Sequence, residues 1–307
     1  MTNASYREYK HRRHNDFVFP IVNTIVLVLL MFVTLYPVIN TLAYSFNDGT
    51  DALKGGISLW PRVWSLKSYT SILQDPAVYQ AAWISASKTV LITALNLFWT
   101  SMLAYALARR EYVLRPFITT VMVLTMYVNA GLIPNYLLIS QTLNLKNTYW
   151  VYIIPTMFSC FNMIILRTYI AGLPEALVES ARIDGAGDIR TFWQIIFPLC
   201  KPVLATVALF VAVGSWNSWF DTHLYCGSKQ NLITLQYLLK MKLATTQASS
   251  NAANATVDAL ANQSVAKTTP VTIRCAITVI STVPILVVYP FLQRYFVTGM
   301  VLGSVKG

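Results

Sequence analysis

The stretch LPEALVESARIDGAGDIRTFWQIIFPL, residues 173 to 199, carries Glu175, Glu179, Arg182, Asp184, Asp188 and Arg190 in a chain that is 55% hydrophobic and only 11% charged. At 100° per residue Glu175, Glu179 and Arg182 share one narrow stripe of a helix, with the small Ala176 and Ser180 beside it. That pattern suits docking against another surface. A second group, Ser215, Trp216, Asn217, Ser218, Trp219 and Asp221, sets indoles beside amides and a carboxylate. Indole faces stack on the C–H faces of sugar rings and Asn or Asp can bond hydroxyls, so the group could line a pathway for a polyhydroxylated solute. It suits an interfacial aromatic anchor at a helix end equally well. Asn129 and Asn162 are further polar groups inside apolar runs, where hydrocarbon penalises an amide that lacks a partner or water.

Other chemistry is missing. No G-x-x-x-x-G-K-[ST] phosphate loop occurs, since Gly227-Ser228-Lys229 lacks the first glycine and the spacing. No G-x-S-x-G elbow and no metal-spaced His/Glu cluster lies in the apolar runs. Cys160, Cys200, Cys226 and Cys275 show no C-x-x-C spacing, and His11, His14 and His223 have no second ligand near them in sequence. The expectation is a chain that is not an enzyme and holds no metal or cofactor of its own. The net charge of +11 comes without a basic-aromatic soluble module, which argues against nucleic acid as a partner.

The elements that must position these groups follow from hydropathy. A mean hydropathy of +0.52 and so few charges place the chain in a bilayer, because soluble domains are about a quarter charged. Six charge-poor runs are long enough to cross about 30 Å of hydrocarbon at about 1.5 Å per residue. They predict an all-α integral membrane fold with six helices, over about 17–46, 77–108, 116–139, 148–170, 193–224 and 271–296. The basic leader 1–16 precedes an apolar stretch too long for a signal h-region, so an uncleaved first helix is expected. Lys and Arg collect in the leader, after the second helix (Arg109, Arg110, Arg115) and around the island, which puts these segments and both termini in the cytoplasm. One transmembrane domain then spans 17–300, with a tail at 301–307 and external loops at 48–76 and 225–270.

Details within the runs leave alternatives. Lys88 lies inside the second helix, where it can snorkel outward or face a wet interior. Pro134 and Pro155 fall in the third and fourth runs, and Pro284 and Pro290 interrupt the sixth; such bends serve a moving pathway or plain packing. Trp60 and Trp64 suit the interfacial belt. Residues 244–269 are polar and of low complexity, with Asn-x-Ser/Thr matches at Asn254 and Asn262 and room for a short helix around VDALANQ.

The island itself reads as two short helices. Pro174 suits a first helical turn, Gly185 and Gly187 bracket a turn, Asp188 suits an N-cap, and Ile189, Phe192, Trp193 and Ile196 recur at amphipathic spacing before Pro198 closes the unit. A plain interfacial amphipathic helix is the other reading.

The order Glu175-Ala176, Gly185, nine residues, then Ile195-Ile196-Phe197-Pro198 resembles the EAA loop of permease subunits of binding-protein-dependent ABC importers, whose pattern is E-A-A, a glycine, nine residues and I-x-L-P. Leu177 and Phe197 depart from that pattern and stay apolar. GLIPNYLL, FNMIILRTYI, GSWNSWF and QRYFVTGMVLGSVKG are similar to the complex-carbohydrate branch of these permeases. The resemblance implies a bacterial inner-membrane subunit that pairs with a second, homologous permease, two cytoplasmic ATPase subunits carrying ATP and Mg, and an external sugar-binding protein, all among membrane lipids. It also implies that the coupling loop, 173–198 between the fourth and fifth helices, contacts the ATPase through Glu175, Ala176, Glu179, Ala181, Arg182, Asp184, Gly185, Ile189 and Pro198. In that scheme Ile189, Phe192 and Trp193 tie the lever to the fifth helix. Asn129, Asn162, Trp216, Asn217, Trp219 and Asp221 are the pathway candidates. A secondary transporter or channel acting without an ATPase is the alternative; it would call for internal inverted repeats, which are not visible, and would leave the hinged island without a purpose.

Overall fold

The computed structural model describes residues 3–253 and 269–304, with side chains described for 19–245 and 269–290. Every regular element among these residues is helical, and one isolated bridge joins Asn47 and Trp64. Three helices carry uninterrupted apolar spans, Phe19–Ser45, Pro76–Ala108 and Pro270–Pro290. Three bent pairs of helices are apolar and long enough when each is taken together: Arg115–Tyr127 with Leu132–Thr142 at 112°, Tyr149–Thr156 with Cys160–Ala171 at 45°, and Asp188–Leu199 with Lys201–Asn217 at 79°, which brings the spans to six where each pair counts as one. The third, fourth and fifth runs expected from hydropathy are thus each interrupted. Hydropathy measures transfer to lipid and is blind to the direction of the backbone.

The chain divides into two compact units. Residues 1–74 and 246–280 make the first, residues 75–245 and 281–307 the second. In the first unit, α1 (Asn3–Ser45) is one helix that absorbs the basic leader and runs through Pro20 and Pro37. The loop after it folds around Asp48 and Asp51. Asp48 accepts from the Thr50 amide at 3.0 Å to cap α2 (Gly49–Ala52), and Asp51 takes the Asn47 amide at 3.0 Å and Arg62 at 3.1 Å. α3 (Lys67–Leu73) follows, its Tyr69 stacked on Phe46 at 4.9 Å. Trp60 and Trp64 are 76% and 66% exposed, as an interfacial belt requires.

The second unit is organised by α4 (Pro76–Ala108), which Asp75 caps by accepting the Ala77 amide at 2.9 Å, with Pro76 in the first turn. Its buried stripe is unusually polar: Ser85, Lys88, Ile92, Asn96 and Thr100 recur at three- and four-residue spacing. α5 (Arg115–Tyr127) ends where Val128 turns extended, the Asn129 carboxamide oxygen accepts the Gly131 amide at 2.9 Å, and Gly131 adopts φ +86°. Only glycine takes that conformation without steric cost, so the break lies there and not at Pro134, which sits inside α6 (Leu132–Leu137). α7 (Cys160–Ala171) starts with Ser159 as cap and packs on α4. After the short helices α8 (Ala176–Ile183), α9 (Asp188–Thr191) and α10 (Phe197–Leu199) comes α11 (Lys201–Asn217), which also packs on α4. The 79° bend before α11 falls where Pro202 has no amide to give the Pro198 carbonyl.

α12 (Leu235–Ala253) occupies much of the region expected to be an unstructured outer loop. The VDALANQ stretch and the Asn254 and Asn262 matches lie outside the described residues. α13 (Pro270–Ser304) passes through Pro284 and Pro290 as one helix, so those prolines do not interrupt it, and its helical turns reach into the expected tail.

The core of the second unit joins Ala104 and Leu107 of α4, Met163, Leu166 and Ile170 of α7, Val178 of α8, and Leu204 and Val207 of α11. Across it Asn162 donates to the Asn96 carboxamide oxygen at 3.3 Å, while Asn96 donates to the Thr156 carbonyl at 3.1 Å. Replacing Asn96 by Leu leaves Asn162 and the Thr156 carbonyl without their partner, and should lower the stability of the purified chain by about 1–2 kcal/mol. Thermal melting of Asn96→Leu, Asn162→Leu and the double variant checks this, and the double variant should lose less than the sum of the two.

Candidate functional site

The island folds as two helices joined by a tight reversal. Gly185 takes φ +76°, its amide donates to the Arg182 carbonyl at 3.0 Å, and the Ala186 amide donates to the Ala181 carbonyl at 2.9 Å. These are the paired bonds of a Schellman cap, which satisfies the last carbonyls of α8. Gly187 is extended at φ −72°, so its lack of a side chain is not what makes the turn. It also takes the capping position expected of Asp188: its carbonyl accepts the Thr191 amide at 2.9 Å and the Thr191 hydroxyl at 3.1 Å. Asp188 becomes the first residue of α9, where a carboxylate favours the positive end of the helix dipole, and it lies 3.7 Å from Arg109.

The two faces separate as the spacing predicts, with one correction. Glu175, Ala176, Glu179, Ser180 and Asp184 are exposed, while Val178 and Ala181 are buried. In the second helix Phe192 and Ile196 anchor the lever in the core at 5% and 2% exposure. Ile189 is 75% exposed and Trp193 44% exposed, so they do not tie the lever to α11. Both project instead into an open cavity of about 490 Å³ that Phe98 and Met102 of α4 line from the other side. Within the lever, one turn of π-helix at Phe192–Ile196 widens the backbone before Pro198, which is half-buried at the bend. Glu175 lines a second cavity of about 380 Å³ together with Arg110 and Arg115.

Arg182 has a partner that the sequence did not disclose. Its guanidinium meets the Glu111 carboxylate in a two-pronged pair at 2.6 and 2.5 Å, reaching from α8 to the turn between α4 and α5. Glu111 and Arg182 are far apart in sequence and share no motif, so only the fold brings them together. The hydrogen bond from Arg182 holds the Glu111 carboxyl below its ordinary range, and the same bond raises Arg182. Arg109 adds to this junction, its guanidinium carbon 4.6 Å from the Tyr105 ring centre and its nitrogen bonded to the Tyr105 hydroxyl.

At the opposite end of α4 the pathway candidates are dispersed. Asn129 caps the break after α5, and Asn162 is 6% exposed and committed to Asn96, so it acts here as packing. Trp216 donates to the Ser281 carbonyl at 3.0 Å and lines a cavity of about 190 Å³ with Pro284 and Val288. Asn217 is exposed and accepts from Gln236 at 3.4 Å, and Asp221 accepts from the Ser218 hydroxyl. Trp219 carries the Lys240 ammonium 2.8 Å from its ring centre. Lys88 is 1% exposed, its ammonium 3.4 Å from the Ser218 carbonyl and 4.9 Å from the Tyr152 ring centre. It therefore neither snorkels nor meets water, but is enclosed by protein. Among the described residues no group of His, Cys, Asp and Glu is placed to hold a metal.

Broken helices around a polar-lined α4, with a charged and hinged helix pair at one end, are the arrangement of a transport subunit worked from one side of a membrane. The chain belongs to the family of binding-protein-dependent transport system inner membrane components, whose profile matches residues 96–302, and it is a multi-pass inner-membrane protein. Protein LplC of Bacillus subtilis (strain 168) is 36% identical over 300 residues, covering 97% of this chain and 99% of that protein. The polygalacturonan/rhamnogalacturonan transport system permease protein YtcP of the same organism is 34% identical over 281 residues, covering 91% and 96%. A chain from the crystal structure of a bacterial ABC transporter involved in the import of the acidic polysaccharide alginate matches with TM-score 0.81 at 28% identity, covering 92% of this chain and 98% of that one.

The Arg182 tether should respond to charge. Because the Glu111 carboxyl lies lower in the fold than in the unfolded chain, the contact is present at neutral pH and is lost as pH falls through that lowered value. Protection of the α8 amides against hydrogen exchange, taken relative to the intrinsic rate at each pH, should therefore fall on acidification, and Glu111→Gln should show the lowered protection already at pH 7.

Proposed function

We propose that the chain is a permease subunit of an ABC importer that passes a carbohydrate, in the size class of an oligosaccharide, into the cytoplasm, with ATP and Mg handled by two separate ATPase subunits. Its further partners in this reading are a second homologous permease and an external sugar-binding protein. The observation that carries the reading is the hinged helix pair. Of its candidate coupling residues Glu175, Ala176, Glu179, Ala181, Arg182, Asp184, Gly185, Ile189 and Pro198, the exposed Glu175, Glu179 and Asp184 form an acidic face, while Ala181 is buried and Pro198 half-buried, on a lever that Phe192 and Ile196 root in the core. Relatives carry carbohydrate names, including the arabinooligosaccharides permease AraQ of Bacillus subtilis (strain 168), 27% identical over 296 residues. The chain itself performs no chemistry in this reading. It binds, gates and transmits.

Mechanically, closure of the ATPase pair pushes on α8, and the rigid Schellman turn passes that displacement to the lever. Rotation at the 79° bend then moves α11, whose far end carries Trp216, Asn217, Trp219 and Asp221. The orientation that follows places the leader, the loop 173–198, the tail and both termini in the cytoplasm, and residues 48–76 and 225–270 outside. A secondary transporter or channel working alone is not favoured, since the family is one of multi-component systems.

Two substitutions test the assignment in the complex assembled with its partner permease, ATPase and binding protein. Gly185→Val adds a side chain with no atom within 4 Å of its Cβ, so its cost is the left-handed backbone alone, about 1–2 kcal/mol. Glu175→Lys reverses the exposed charge without touching the core. Both should leave the two permeases paired while ATPase co-purification and substrate-stimulated ATP hydrolysis fall about tenfold or more. Retention of both properties in both variants would refute the coupling role.

A further inference from the structure

Three polar side chains of α4 meet the chain at the carbonyl end of α11 and at the start of α12. Ser85 accepts the Leu235 amide at 2.8 Å, Lys88 reaches the Ser218 carbonyl at 3.4 Å, and Thr89 bonds the Ser215 hydroxyl at 3.4 Å. Ser218 is where α11 stops: its amide donates to the Ser215 carbonyl and it turns extended at ψ 115°. A cation there meets both a lone pair and the negative end of the helix dipole. Tyr152 closes the other side of the ammonium, and its hydroxyl bonds Thr222 at 3.0 Å and the Leu232 carbonyl at 2.8 Å. The Asp221 carboxylate in turn takes the Ser218 hydroxyl. A buried charge in a span is very costly unless partners surround it, so this cage fixes where Ser218 can be.

We propose that Lys88 is a positioning residue of the transport pathway, clamping the broken end of α11 at Ser218 so that Trp216, Asn217 and Trp219 are held in their lining geometry. The inference rests on the pathway reading given above for that segment. Lys88 itself touches no solute. Its effect passes through the Ser218 carbonyl.

The test reads the local geometry directly and needs neither transport nor ATP, so its failure is distinguishable from failure of the function assigned above. Asn217→Cys is introduced into the full-length chain with Cys160→Ser and Cys275→Ser, removing the two half-buried thiols, and labelling by a small maleimide is timed in detergent micelles. Lys88→Met should change the labelling rate at position 217 about tenfold or more, since the last turn of α11 loses its fixed end, while Lys88→Arg, which keeps the cation, should stay within about twofold of native. Where Lys88→Met does not accumulate as folded protein, Lys88→Gln, which removes the cation and keeps a polar end, serves in its place and should show the same altered rate with a cooperative melt. A labelling rate equal to native in whichever of these two folded variants is measured would overturn the proposal. So would an Arg variant as perturbed as the Met variant, because the cage would then be ordinary packing.

Discussion

A backbone that breaks inside hydrocarbon must find hydrogen-bond partners from its own protein, and in this chain one helix supplies several of them. The polar stripe of α4 serves three such places, since Asn96 bonds the Thr156 carbonyl before α7, Lys88 bonds the Ser218 carbonyl where α11 ends, and Ser85 accepts the first amide of α12, while the break after α5 is closed by Asn129. Water does this work for a soluble loop, and a carbonyl left free in hydrocarbon costs several kcal/mol. α4 is long and polar along one edge, which lets it take these groups.

That division of labour gives the molecule its mechanical character. α4 has 33 residues, about 50 Å at 1.5 Å per residue, so the same rigid rod touches the hinged helix pair at one end and the WNSWFD segment at the other. α11 lies against it but is jointed at both ends, at Cys200 by the 79° bend and at Ser218 by an extended residue. A rod with two jointed partners converts a push at one end into a displacement at the other. The bonds at the joints are few and polar, hence able to exchange, whereas the contacts along α4, α7 and α11 are apolar and close-packed.

Sequence carried much of this, unevenly. The membrane class, the island as two short helices and the importance of Gly185 follow from composition, spacing and the unique φ range of glycine, and the left-handed Gly185 and its Schellman bonds agree with that reading. The breaks did not follow, because hydropathy scores Val128 to Gly131 as ordinary span residues and only the Asn129 side-chain bond with the positive φ of Gly131 turns the chain there. Prolines misled for a related reason. Pro284 and Pro290 sit within a continuous helix, while the sharpest bend occurs without one. Asn96 and Glu111 were invisible because their meaning lies in partners 66 and 71 residues away, Asn162 and Arg182. A lone amide or carboxylate has no periodicity to betray it.

The exposure of Ile189 and Trp193 is where amphipathic spacing and function part company. A stripe of apolar residues on a helix of a soluble domain is read as the face that turns inward, and two of the four here do so. The other two face an open cavity at the junction of lever and rod, beside the Glu111–Arg182 pair. That pair is exposed on both sides and thus contributes little to stability, but its geometry is demanding, since a planar guanidinium and a planar carboxylate must meet edge to edge. A contact that is weak in energy and strict in geometry is well matched to a joint: it selects one relative position of α8 and the α4–α5 turn without making that position hard to leave. The buried anchors Phe192 and Ile196 do the opposite, fixing the root of the lever regardless of where its tip moves. Strength at the root and selectivity at the tip are what a lever of this length needs to pass on motion without dissipating it.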